Sequence, residues 1–225
     1  MSMICSCPAS SALTTIPVVQ CGENFGQIQK IAFQRLTKSD GNKNSFAAAT
    51  GTGSTTTPTI TLKASWTPLI ADSNSTGAKI VLSPFINNPT SEPGAARTFG
   101  GGNESLGGIE EVLGAEPTAF SAVLRRMPQN VIKVMKDLMC EAAVGNLGVY
   151  LFNENGQIEA IQDTDEPNTY YPIPIRSLFI SDKGHGGLEN PDSNNISFSF
   201  APNYSDNLKI VTPTDFNPLD LVPGT

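Results

Sequence analysis

Apolar positions recur in short, turn-bounded runs along this chain, and most of the runs have a period of two. In 195–200, Ile196, Phe198 and Phe200 alternate with Ser197 and Ser199, the pattern of a strand with one buried face. Residues 26–36 alternate in the same way, with Ile31, Phe33 and Arg35 on one side and Ala32, Gln34 and Leu36 on the other. Ile60, Leu62, Ala64 and Trp66 predict a half-buried strand over 59–66. Further strands are predicted over 79–86, 117–127 (around Phe120, Ala122 and Leu124), 173–181 and 208–211. Residues 147–152 and 157–161 flank Asn155-Gly156 and predict a hairpin.

One segment has helical period instead. Val131, Ile132, Met135, Leu138 and Met139 form an apolar stripe, with Gln129, Lys133, Lys136 and Asp137 opposite. Pro128 suits the first helical position, and Gly145 is placed to end the helix. The pattern predicts a mainly β fold: a β-sandwich or open barrel of seven to nine short strands with one flanking α-helix at about 128–142. Residues 1–24 have neither period and read as an extended N-terminal arm. The β-sandwich-like domain runs over 25–211. Within it, 47–59 is small and low in complexity and reads as a mobile loop, and 87–108 reads as a long Gly/Pro/Asn-rich connection. Residues 212–225 contain Pro213, Pro218 and Pro223 and read as an extended C-terminal tail.

Composition sharpens this picture. The chain has 225 residues, and only 16% are charged, below the roughly 25% of an average soluble domain. It has 20 Ser, 20 Thr and 18 Asn. The expected surface is therefore polar but not ionic, as in β-rich proteins that cover much of their surface in an assembly. The net charge of −7 argues against gripping nucleic acid through its phosphates. No apolar run approaches the length of a transmembrane helix, and the first residues lack a signal-peptide pattern. Synthesis and retention in a cytoplasm is the expectation.

No constellation points to catalysis. The single histidine, His185, lies in Gly184-His-Gly-Gly187 and reads as a turn residue. Cys5, Cys7 and Cys21 offer three thiolates, but the Cys-x-Cys spacing is short for zinc and Cys140 is remote in sequence; free thiols are expected. Gly100-Gly-Gly-Asn-Glu-Ser-Leu-Gly-Gly108 lacks the Lys-Ser/Thr of a P-loop and reads as a flexible loop. Asp182, Glu189, Asp192 and Asn194 carry Ca²⁺-type ligand atoms without EF-hand spacing. Glu110, Glu111 and Glu116 form the densest acidic spot. They read as a solvated turn or as an anionic surface past which DNA slides. Arg125-Arg126 is the only basic pair, and Tyr170-Tyr171 reads as a strand start. The expectation is a protein that is not an enzyme, with no catalytic, cofactor-binding or metal-binding residues and no cofactor.

Three long segments carry a resemblance. Cys21-Gly-Glu-Asn-Phe-Gly-Gln-Ile-Gln-Lys-Ile-Ala-Phe-Gln-Arg-Leu-Thr-Lys-Ser-Asp-Gly41, Arg97-Thr-Phe-Gly-Gly-Gly-Asn-Glu-Ser-Leu-Gly-Gly-Ile-Glu-Glu-Val-Leu-Gly114 and Ile173-Pro-Ile-Arg-Ser-Leu-Phe-Ile-Ser-Asp182 resemble uncharacterised structural proteins of phages and prophages of gut Bacteroidetes. By fold outline the chain also looks like the major tail tube protein of tailed phages. That resemblance implies stacked, hexameric rings forming a tube through which DNA passes without sequence-specific binding. The implied partners are the chain itself and other virion tail proteins, with no membrane. The implied location is the virion tail, assembled in the host cytoplasm. The arm 1–24, the loop 87–108 and the tail 212–225 would link subunits and rings, and exposed strand edges would pair between neighbours. The alternatives are a head decoration or head–tail connector protein, or a receptor- or glycan-binding fibre module.

Overall fold

The computed structural model describes residues 16–18, 23–48, 58–162 and 164–223. Cys5, Cys7 and Cys21, and most of 1–24 and 47–59, lie outside the described residues. The elements in chain order are β1 (Ile28–Arg35), β2 (Phe46–Ala47), α1 (Lys63–Ile70), β3 (Ile80–Leu82), β4 (Asn87–Glu92), β5 (Ala96–Gly100), β6 (Glu110–Ala115), β7 (Thr118–Arg125), α2 (Gln129–Ala143), β8 (Leu147–Asn153), β9 (Ile158–Gln162), β10 (Thr169–Tyr171), β11 (Ile173–Ile180), β12 (Ser193–Phe200) and β13 (Leu208–Val211). The mainly β class is as expected. The described residues hold thirteen strands and two α-helices, more than the pattern predicts, because β2 and β10 are too short to show a period and β4, β5 and β6 lie in or beside the stretch read as a connection.

Eleven strands form one curled sheet, ordered β2-β10-β9-β8-β11-β12-β7-β4. β1 adds to it by pairing with β8 and β3, and β13 by pairing with β9. All of these pairs are antiparallel. β8 is its hub. It pairs with β1 along its length, from Ile28↔Asn153 to Arg35↔Leu147. Its other edge is shared between β11, at Ile173↔Val149, and β9, at Phe152↔Ile158.

All seven residues of β8 are buried, because the β1–β8 pair has a core on each face. Leu147, Val149 and Leu151 join Ile31 and Phe33 in the first core; Tyr150 and Phe152 join Ala32 in the second. The near-continuous apolar run Leu-Gly-Val-Tyr-Leu-Phe is the sequence form of a strand buried on both sides. The first core is closed by α2 through Ile132, Met135 and Ala142, and by Phe120, Phe198 and Phe200 of β7 and β12. α2 follows Pro128, which stands just before its first residue, and ends at Gly145, whose φ is +73°. The Gly145 N–H donates to the Ala142 carbonyl at 3.1 Å, as a glycine helix stop requires.

The second core corrects the expected strand over 59–66. Lys63–Ile70 is a helix. The alternation of Ile60, Leu62, Ala64 and Trp66 is real, but Trp66 and Ile70 also lie one helical turn apart and both are buried. Trp66 stacks on Phe46 at 4.5 Å between centroids and meets Tyr150 and Phe152 edge-on. Its indole N–H donates to the Ile60 carbonyl at 2.8 Å. Helix geometry is what turns the indole inward with its donor satisfied. α1 lacks a cap of its own; the Asp215 carboxylate accepts from the Lys63 N–H at 2.8 Å and supplies one from the C-terminal segment.

That segment is docked. Leu221 is buried in the second core, with Phe216 and Leu219 packed against it. The Lys30 ammonium, buried on the same face of β1, donates to the carbonyls of Leu219 and Leu221. Burial pulls its pKa down, and nearby Asp220 partly opposes this.

Gly148 marks where β8 is most tightly enclosed. A Cβ there would lie 2.7 Å from Leu36 Cδ2, 2.9 Å from Pro172 Cβ and 3.1 Å from the Ile173 carbonyl. Gly148→Ala is expected to destabilise the fold by about 1–3 kcal/mol through overpacking. A lowered urea midpoint at unchanged slope is the expected readout.

Candidate assembly surface

β4 and β7 form one end of the large sheet, and their pairing continues past its edge. Asn87↔Val123 and Glu92↔Ala119 belong to the sheet; Ala96↔Ala115 and Gly100↔Glu110 extend the same two chain segments as a separate two-stranded hairpin. The stretch 87–108, read from sequence as an unstructured connection, therefore carries β4, β5 and one side of a hairpin tip. Pro93-Gly94 and Pro117 interrupt the ladder at the junction. A Cβ on Gly94 would overlap the Glu116 carbonyl oxygen at 1.8 Å, so only glycine lets the strands pass there.

The tip explains the glycines. Gly100, Gly101, Gly102, Gly107 and Gly108 all have positive φ, which glycine adopts without penalty. Ser105 closes the turn: its Oγ accepts from the Gly101 N–H at 2.9 Å and donates to the Ile109 carbonyl at 2.6 Å. The expected flexible loop is thus a built turn. Period-based reading missed it because consecutive left-handed residues have no side-chain pattern.

Every residue of β6 and all of β5 but Gly100 are exposed. Five paired residues extend about 17 Å, so this arm stands clear of both cores. It carries Phe99, Ile109, Val112 and Leu113, each between 44% and 72% exposed. An isolated two-stranded hairpin is at best marginally stable in water. The Arg97–Glu116 pair at 3.5 Å is exposed and adds on the order of 0.2–1 kcal/mol.

The remaining sequence candidates are scattered. His185 is exposed, with Nδ1 3.3 Å from Asp192 Oδ2. Asp182 pairs with Lys136, which holds its carboxyl below the usual range. Asn194 is buried and Glu189 exposed. Among the described residues no three His, Cys, Asp or Glu side chains are placed to share a metal ion. Cys140 is an exposed free thiol on α2. Tyr170 and Tyr171 form β10, and the Lys43 ammonium lies 5.2 Å from the Tyr171 ring centre. Glu110 and Glu111 lie on the arm, in β6, and Glu116 follows it.

One titratable group went unnoticed in the sequence. Glu159 of β9 is half-buried beside Leu151, its ladder partner. Burial and the neighbouring Glu23 charge push its pKa up to about 7. Alternation around it, with Ile158 and Ala160 buried, makes Glu159 look like an outward-facing residue. The other face of β9 lies beside Leu151 of the first core and is itself partly covered.

No protein-family model matches the sequence, and no curated protein matches it. Solved structures give weak likenesses. A chain in the virion of a native gene transfer agent particle aligns over 56% of this chain and 85% of its own, at 12% identity and a TM-score of 0.33. A chain from the C6-symmetric tail of an empty gene transfer agent particle aligns over 59% and 88%, at 12% identity and 0.30. A chain in the six-fold symmetrised baseplate of the anti-feeding prophage aligns over 92% and 100%, at 9% identity and 0.32. All three TM-scores are too low to establish a shared fold.

A carboxyl with a raised folded-state pKa keeps its proton where the unfolded chain has lost it. Stability therefore falls as pH rises from about 4.5 to about 7. Glu159→Gln is expected to remove this slope and to raise stability at pH 8 on the order of 2 kcal/mol. Chemical denaturation at pH 4.5 and pH 8 checks it.

Proposed function

We propose that this chain is a virion structural protein, the subunit of a tail tube, which polymerises as stacked hexameric rings around a DNA-conducting channel. The observation that carries this reading is the β5–β6 arm, which presents Phe99, Ile109 and Val112 to solvent and has no core of its own. Such a hairpin gains its stability from a neighbour. A low charge density, a surface rich in Ser, Thr and Asn, and a net charge of −7 suit a subunit that covers most of its surface with copies of itself. The same charge lets DNA pass without adhering. Residues 1–24 and the end of the tail 212–225 supply further contacts between rings, and other tail proteins bind the ends of the tube. The work is assembly in the host cytoplasm rather than catalysis.

Negative-stain electron microscopy of the purified protein at high concentration tests this. Hollow tubes or stacked rings are the expected result. Joining Ala95 to Glu116 through an Asn-Gly turn removes 96–115 and is expected to leave a folded subunit that forms no tubes. Only monomers, trimers or unstacked closed rings from the intact chain would overturn the tube assignment in favour of a decoration, connector or fibre role.

A further inference from the structure

A cleft of about 460 Å³ opens between the first half of α2 and the segment following β11. Lys133, Lys136 and Lys183 line it, against a single carboxylate, Asp182. Asp182 is taken by Lys136. Lys133 and Lys183 form no ion pair among the described residues. In a chain of net charge −7, two uncompensated ammonium groups at one cleft are a local reversal of sign.

Asn194 forms part of the same wall and is only 2% exposed. Its Nδ2 donates to the Ser181 carbonyl at 3.0 Å, while its buried Oδ1 has no partner among the described residues. A buried acceptor without a donor costs about 1–3 kcal/mol. That oxygen is sealed from solvent and so from any docked group; what the cleft offers a partner is its positive charge. Two lysines lining one cleft are complemented by a segment that carries two carboxylates on a fixed backbone.

The chain contains such a segment. Glu104, Glu110 and Glu111 lie on the arm without ion-pair partners among the described residues. Glu110 and Glu111 belong to β6, which is exposed throughout, so they do not fill the cleft of their own chain. We propose that the lysine-lined cleft beside α2 receives the acidic arm of a second copy, with Glu110 and Glu111 set against Lys133 and Lys183. This deepens the assembly reading above and rests on its premise that the arm is covered by a neighbour. The two patches differ, so the contact is head-to-tail and repeats from copy to copy into a ring or filament.

Reciprocal charge reversal tests the pairing. One variant carries Lys133→Glu and Lys183→Glu, the other Glu110→Lys and Glu111→Lys; all four positions are exposed. Each variant alone sets like charges together. Self-association by sedimentation velocity is expected to weaken at least tenfold for each, with an unchanged circular dichroism spectrum. An equimolar mixture restores opposite charges at every arm–cleft contact and is expected to recover association. Wild-type association falls as salt rises.

Variants that associate like wild type, or a mixture that does not recover, would overturn the proposal. So would a wild-type chain that stays monomeric at every concentration. Binding of a short DNA duplex, lost with the lysine variant and unaccompanied by reciprocal rescue, would assign the cleft to phosphate instead. Tubes insensitive to these charges would leave the tube reading standing without this contact. Reciprocal rescue of unstacked rings would establish the contact and refute the tube.

Discussion

The pairing of β8 with β1 is the interaction on which the rest of the structure depends. It is a two-stranded wall with a hydrophobic core on each face. Leu147, Val149, Leu151, Ile31 and Phe33 look one way; Tyr150, Phe152 and Ala32 look the other. A one-residue slip in register would exchange the two sets and empty both cores. Even the polar residues of this wall are spoken for. The Tyr150 hydroxyl donates to Gln34 Oε1 at 3.2 Å, and the Gln34 amide donates to the Ala78 carbonyl at 2.7 Å. Asn153, fully buried at the end of β8, accepts from the N–H groups of Asn155 and Gln157 and donates to the Phe25 carbonyl. The hairpin to β9 and the entry to β1 are therefore tied to one side chain.

Each core then recruits its own cover. α2 lies over the first, and the Arg35–Glu141 pair links it back to β1. α1 and the C-terminal segment close the second together, through Trp66, Leu221 and the Asp215 cap. Residues more than 140 positions apart thus complete a single packing unit, and loss of the segment that follows β13 would expose Trp66 and α1 at once.

The arm obeys different rules. It is continuous in chain with β4 and β7, but its ladder is separate from theirs and it belongs to neither core. Its backbone is well specified, by five left-handed glycines and the Ser105 turn, while its side chains are not enclosed. A segment with a defined shape and no cover of its own suits contact with another molecule. Its carboxylates and the unpaired lysines beside α2 lie at separate places on the surface, so a contact between them joins copies.

Local pattern was enough for much of this protein. Strict alternation read out β7 and β12, the apolar run and Asn155-Gly156 read out the β8–β9 hairpin, and the stripe from Val131 to Met139 read out α2. In β7, β12 and α2 one face is buried along the element, so the sequence period and the burial period coincide; β8 is buried on both faces, and its unbroken apolar run records that. Tertiary structure alone decided the rest. Trp66 has a partner at both strand and helix spacing, and only the ring of Phe46, Tyr150 and Phe152 around it selects the helix. Glu159 reads as an outward residue, but its face of β9 is partly covered. The glycine-rich tip has no side-chain period from which its built turn could be read. The cleft beside α2 gathers Lys133, Lys183 and Asn194 from α2, the segment after β11 and β12, and no spacing in the sequence records that the fold brings them together.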